Sequence, residues 1–91
     1  MKTEMTTEQT LRYRNKAMRL IRESGQLGIT AGDLAECMVP LYPTTEEEIT
    51  GHLAQLKANR MIYSIGDAAM ESVQRWFIGD LGKEHLRKLG F

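Results

Sequence analysis

The sequence predicts a small α+β domain that is mainly helical, with three helices, a two-stranded β-hairpin and a short C-terminal helix. Apolar residues recur at helical spacing until about residue 59, and the pattern then changes to strand-like alternation at 61–65 and 73–78. A helical pattern returns near residue 81. Since the chain has 91 residues, it has room for one domain, with its core expected at about 8–79 and its last helix at about 81–89.

The first helix is predicted to begin at Thr6 or Thr7, whose hydroxyl can cap it, and Gln9 follows Thr6 at capping-box spacing. Ser24 and Gly25 are expected to end it, because glycine readily takes the left-handed conformation found after helices. The apolar side of this helix is predicted to comprise Leu11, Ala17, Met18, Leu20 and Ile21.

The second helix has the clearest start in the chain, within ITAGDL at 29–34. Thr30 can cap it, and Asp33 is its third residue. Ile29 and Leu34 are placed to form a hydrophobic staple around the cap. These features together predict a helix that begins just after Thr30.

Cys37 is the only cysteine of the chain, so no internal disulfide is available to it. We expect it to be a small buried core residue of the second helix. The prolines of VPLYP at 39–43 then predict a turn between helices, with Leu41 or Tyr42 turned inward.

The third helix is predicted to be capped by Thr44 or Thr45. Three glutamates at 46–48 occupy its first turn, where the helix dipole favours negative charge. A rotation of about 100° per residue gives this helix two distinct sides. The buried side is predicted to comprise Ile49, Leu53, Leu56 and the stem of Arg60, and the outward side Glu47, Gly51, Ala54, Gln55 and Ala58.

The hairpin is predicted from MIYSI at 61–65 and VQRWFI at 73–78, which are rich in β-branched and aromatic residues. Trp76 lies in an alternating strand, so we expect it to fill the core rather than to stack on bases. The C-terminal helix is predicted to carry Leu81, Leu86 and Leu89 and to end at Gly90. We interpret as core or core-edge residues the six methionines and Tyr13, Tyr42, Tyr63 and Phe77.

The net charge of the chain and its distribution limit which kinds of partner it can attract. Twelve basic and twelve acidic side chains cancel, so a general attraction to nucleic acid is absent, but residues 1–29 and 73–91 are basic on balance and 30–72 are acidic. No membrane span or secretory signal is recognisable, which predicts a cytoplasmic protein without a membrane partner.

Catalytic and cofactor motifs are missing from the sequence, which has no Gly-rich phosphate loop, HExxH, GxSxG or CxxC. His52 and His85 are far apart in sequence and have no paired carboxylate or cysteine motif. We therefore expect no enzymatic activity, no cofactor and no metal ion.

The order of elements resembles winged helix-turn-helix domains of small bacterial and phage transcriptional regulators. The resemblance is carried by GITAGDLAECM, EEEITGHLAQLKANRMIYSI and QRWFIG, and it covers about residues 8–79. Many such domains lay the third helix in the DNA major groove and the hairpin, or wing, along the adjacent backbone or minor groove.

This resemblance implies regulation of transcription by operator binding, with double-stranded DNA as the partner. A single small module reads few base pairs, so a homodimer is expected, joined through the leucines of the C-terminal helix or through the first helix. The residues expected in the major groove are Thr44, Thr50, Gly51, His52, Gln55 and Lys57, and those expected on phosphates are Arg60 and Arg75.

The second hypothesis is a winged-helix module that binds a partner protein instead of DNA. The zero net charge and the predicted wing loop GDAAMES, which lacks lysine and arginine, favour it. The partner would contact either the small-residue strip of the third helix or the basic first helix. That basic helix carries Arg12, Lys16 and Arg19 on a shared face, with Arg14 and Arg22 nearby.

Overall fold

The computed structural model describes residues 6–39, 45–66 and 74–91. In these ranges the chain forms four α-helices and three short strands, and a 3-10 turn at Gly25–Leu27 follows the first helix. The predicted order of elements is confirmed. The helices are α1 (Thr7–Ser24), α2 (Ala31–Met38), α3 (Glu46–Ala58) and α4 (Asp80–Lys88), and the strands are β1 (Ile29–Thr30), β2 (Ile62–Ile65) and β3 (Arg75–Ile78).

Threonine caps begin the first three helices. The Thr6 hydroxyl accepts a hydrogen bond from the Gln9 backbone N–H at 3.1 Å, and the Gln9 side chain accepts one from the Thr6 N–H at 2.9 Å, which completes the predicted capping box. The hydroxyls of Thr30 and Thr45 each accept from the N–H three residues later, at 3.2 and 3.1 Å. Each such cap typically stabilises a helix by about 1 kcal/mol.

The sheet contains the predicted hairpin and one further strand. Its order is β1-β3-β2, and both pairs are antiparallel. Ile29 pairs with Trp76 across β1 and β3, and Tyr63 pairs with Phe77 across β2 and β3. Two residues are too few to show an alternating pattern, which is why the sequence does not reveal β1.

The core lies between the helices and one face of the sheet. It confirms Ile49, Leu53 and Leu56 on the predicted inner side of α3 and the predicted burial of Trp76. The stem of Arg60, also expected on that side, is not in the core, because α3 ends at Ala58 and Arg60 is exposed. Its larger members are Tyr13, Met18, Ile21, Leu34, Met38, Ile49, Leu53, Leu56, Ile62, Trp76 and Leu86.

Several predicted core positions are wrong, and Tyr63, expected in the core or at its edge, is 48% exposed. Cys37 is exposed, because α2 turns Leu34 and Met38 toward the core and places Cys37 away from them. Leu11 is 56% exposed, because Tyr13 is the residue that points into the core from this turn of α1. In α4 only Leu86 of the three predicted leucines is buried, and the other two are about half exposed.

No helix in the described ranges is long and apolar enough to cross a membrane. The predictions for the interhelical turn and for most of the wing loop lie outside the residues that the structure describes. They concern Leu41, Tyr42, Thr44 and residues 67–73.

Candidate nucleic-acid interface

Helix α3 has one side in the core and the other side open. Ile49 and Leu53 have no exposed surface, and Leu56 is also buried. The outward positions predicted from the helical repeat are exposed, namely Glu47, Gly51, Ala54, Gln55 and Ala58. The outer side therefore presents small residues, the Gln55 amide and the Glu47 carboxylate to a binding partner.

A groove runs between α3 and the sheet. Its volume is about 240 Å³. Thr50, Ala54 and Lys57 lie on its helix side at spacings of four and three, so they form one strip along α3. The other lining residues are Ala31, Leu53, Gln74 and Trp76.

Lys57 places a positive charge at this groove. Its Nζ lies 3.5 Å from the Ser64 hydroxyl oxygen, to which it donates a hydrogen bond. The same Nζ lies 6.0 Å from the centroid of the Trp76 ring, at the outer limit of a cation–π contact. The Lys57 ammonium thus lies between α3 and the hairpin.

His52 faces α1 rather than the groove between α3 and the sheet. Its ring packs on Tyr13 with centroids 4.6 Å apart, and its Nδ1 accepts a hydrogen bond from Arg14 Nε at 3.2 Å. Burial lowers the pKa of His52 below its usual 6.5, and the Arg14 charge lowers this pKa further, while Glu48 opposes both. The imidazole is therefore neutral near pH 7 and connects α3 to α1.

The two arginines predicted to contact phosphates lie at opposite ends of the hairpin strands. Arg60 follows the C-cap residue of α3, Asn59, is exposed, and has a positive φ of 61°. Arg75 begins β3, and its Nη1 donates to the carbonyl oxygens of Leu27 at 3.2 Å and Gly28 at 3.5 Å. Neither arginine lines the groove that contains Lys57.

The cations of α1 are divided among several intramolecular contacts. Arg12 pairs with Glu8 at 2.7 Å, and both side chains are exposed. The Arg19 guanidinium lies 4.3 Å from the centroid of the Phe91 ring, and Arg22 Nη1 donates to the Phe91 carbonyl oxygen at 2.8 Å. The predicted basic face is therefore engaged in part with α3 and with Phe91.

Sequence reasoning does not identify the groove itself. Gln74 and Ala31 line it, and Trp76 contributes its remaining accessible edge, although the strand pattern predicts only that Trp76 points inward. The contact of Arg14 with His52 joins residues 38 positions apart. Contacts between residues so far apart in the chain produce no recognisable pattern in the local sequence. Among the described residues, no three His, Cys, Asp or Glu side chains come together as a metal site.

Comparison with known proteins identifies the architecture. Neither a protein-family model nor a curated protein matches the chain. Solved structures of S. aureus MepR do match. A mutant form of MepR has a TM-score of 0.71 and 16% identity over 94% of this chain and 56% of its own. MepR bound to ethidium bromide has a TM-score of 0.66 and 16% identity, covering 94% of this chain and 55% of its own.

The fold is a winged helix-turn-helix. In this fold α2 and α3 are the helices of the helix-turn-helix, and the β2–β3 hairpin is the wing. The chain spans about half the length of the MepR chains that it matches. At 16% identity, the likeness concerns the fold and leaves function to be argued from the residues of the site.

Proposed function

We propose that the protein binds double-stranded DNA and regulates transcription by occupying an operator, not by catalysis. The observation that carries this proposal is the open outer side of α3, which lies beside the wing and shares a groove with it at Lys57. The likeness to the MepR structures supports this proposal at the level of the fold alone.

The outer side of α3 suits a close approach to the major groove. Gly51, Ala54 and Ala58 present little bulk, so the helix backbone can come near the base edges. Gln55 is the base reader on the outward side of α3, since its amide can bond an adenine through two hydrogen bonds. Thr50 can contact a phosphate or a thymine methyl.

Cations around α3 would provide the phosphate contacts. We assign this role to Lys57 in the groove, Arg60 after α3 and Arg75 on the wing. His52 would contribute by fixing α3 against α1. Thr44 also belongs to the proposed DNA-contacting set, although it lies outside the described residues.

A homodimer would double the number of base pairs read and raise specificity. Exposed apolar residues on two neighbouring helices support this part of the proposal. Leu81 of α4, Leu89 directly after α4 and Leu11 of α1 each expose about half of their surface. Equilibrium sedimentation over a range of concentrations, with Leu81→Glu as the variant expected to stay monomeric, tests it.

The test of DNA binding starts with a pool of mixed-sequence duplexes, from which the retained sequences are recovered and measured at several salt concentrations. Gln55→Ala should relax preference at one base pair, which is typically worth about 1–3 kcal/mol. Lys57→Gln should weaken binding to all sequences and lower the salt slope by about one.

Lys88→Gln is the matched control, because Lys88 is an exposed lysine of α4 outside the groove. It should leave affinity and preference unchanged. If Gln55→Ala and Lys57→Gln both behaved like this control, α3 would not be the reading helix.

A partner protein remains the second candidate, favoured by the exposed strip of Gly51, Ala54 and Ala58. Small residues let another backbone pack closely, and few strong base readers stand beside them. If the purified protein retained no duplex even at low salt, while Ala54→Arg abolished capture of a cellular protein, this candidate would replace the first.

A further inference from the structure

A second cleft lies on the side of the sheet that faces away from the core. Trp76 of β3 and Ile62 of β2 point into the core, so the residues one step along each strand point outward. These are Phe77 and Tyr63, which pair directly across the two strands. The cleft has a volume of about 390 Å³, within the range of small-molecule sites.

The aromatic pair forms a preformed wall of this cleft. The rings of Tyr63 and Phe77 are 5.4 Å apart and nearly parallel, at 16°. The Phe77 ring lies close against Gly28, since a Cβ on Gly28 would come within 2.7 Å of the Phe77 Cζ. Tyr63 is 48% exposed, so part of its ring is open to stacking with a planar ligand.

Two cations flank these rings. Arg22 and Lys83 both line the cleft, together with Gly25, Gln26 and Ile78, and no aspartate or glutamate is among its described lining residues. Lys83 forms no ion pair with any residue that the structure describes. Arg22 uses one of its five N–H donors in the hydrogen bond to the Phe91 carbonyl oxygen. In a chain without net charge, this is a local excess of positive charge beside an aromatic surface.

We propose that this cleft binds a nucleotide, with the base stacked on Tyr63 and the phosphate between Arg22 and Lys83. The rings, the cations and Gln26 each favour a nucleotide over other classes of ligand. A simple anion would leave the rings unused, and an apolar ligand would leave both cations desolvated without a partner. The Gln26 amide offers both a donor and an acceptor, which a base edge can satisfy. The cleft shares no described lining residue with the groove between α3 and the sheet.

The test is a titration of the wild-type protein with adenosine and uridine monophosphates, and separately with a single-stranded hexamer of thymidylate, at low and moderate salt. Tyr63→Leu removes the ring but keeps an apolar strand residue, and it should weaken binding roughly tenfold, as loss of one stacked base does. Lys83→Gln should weaken binding and reduce its salt dependence. Lys88→Gln, on the same helix but outside the cleft, should change neither.

Each outcome decides the proposal. Binding of a monophosphate that depends on Tyr63 and Lys83 identifies a free nucleotide as the ligand. Binding of the hexamer alone, with the same dependence, identifies a single strand as the source of the same base and phosphate. If neither probe bound at millimolar concentration, or if both variants bound like the wild type, the cleft would not be a nucleotide site. Should Tyr63→Leu fail to fold, the exposed Lys83 variant decides alone.

Discussion

The two sides of α3 differ in how strongly the fold constrains their residue types. The inner side holds Ile49, Leu53 and Leu56, which are buried against the other helices and the sheet. The outer side holds Gly51, Ala54, Gln55 and Ala58, which contact solvent. Packing therefore determines the inner residues, whereas only a ligand would determine the outer ones. The difference teaches that one helix can specify a fold clearly and its function weakly.

The largest expected effect comes from breaking the inner side. Leu53→Ala should lower the free energy of unfolding by about 2–5 kcal/mol, because a leucine with no exposed surface leaves a cavity when truncated. Gln55→Ala, two residues away on the outer side, should stay within about 0.5 kcal/mol of the wild type. Urea unfolding measures both. Equal losses for the two variants would mean that the sides do not differ as described.

Two helical glycines should respond in opposite directions to the same change. Gly82 of α4 is buried, and a Cβ there would overlap the Met61 carbonyl oxygen, so Gly82→Ala should cost about 1–3 kcal/mol. Gly51 has open space around it, so Gly51→Ala should stabilise α3 by about 0.5–1 kcal/mol.

Gly51→Ala also tests the outer side as a DNA surface. The added methyl would stand between α3 and the base edges, so a more stable protein should bind its selected duplex less tightly. Thermal unfolding and duplex titration on the same sample separate the two effects. A gain in stability with unchanged affinity would place Gly51 outside the contact.

His52 lies where α3 meets α1, and its contribution should depend on pH. Its pKa is lowered in the folded state, so below about pH 6.5 the unfolded chain binds the proton more readily. The contribution of His52 to the free energy of unfolding should be fully present at pH 7.5. It should decrease as the pH falls below 6.5 toward the pKa of His52 in the folded state. Protonation would also turn Nδ1 into a donor facing the Arg14 donor.

Unfolding curves at pH 7.5 and 5.5 measure this effect, and His52→Gln is the reference because it cannot titrate. The wild type should lose more stability than the variant between the two pH values. An equal loss in both would show that the contacts of His52 with Tyr13 and Arg14 do not oppose protonation.

The smallest effect is expected at the exposed end of α1. Arg12→Ala removes the pair with Glu8, and both of these side chains are largely in solvent. Such pairs contribute about 0.2–1 kcal/mol, and added salt should reduce the difference further. A loss above about 2 kcal/mol at moderate salt would indicate a packing role for Arg12.

Much of the fold follows from local patterns in the sequence. The caps at Thr6 and Thr30 and the buried side of α3 depend on residues three or four positions apart, so the sequence is sufficient to predict them. Cys37 is predicted wrongly because its apolar character does not say on which side of α2 it falls.

The candidate site is less predictable, because its contacts join distant parts of the chain. Arg14 reaches His52, and Lys57 reaches toward Trp76 on another element. The sequence does predict that Gln55 points outward. It does not indicate that His52 turns toward α1, since that depends on how two helices pack.

The most direct measurement is an amide chemical-shift map of the isotope-labelled protein titrated with its selected duplex. If α3 reads DNA, the largest changes should fall on Gly51, Ala54, Gln55 and Lys57, with smaller ones on β3. Changes confined to the cleft around Tyr63 and Lys83, or no changes at low salt, would contradict the proposal that the outer side of α3 is the DNA-binding surface.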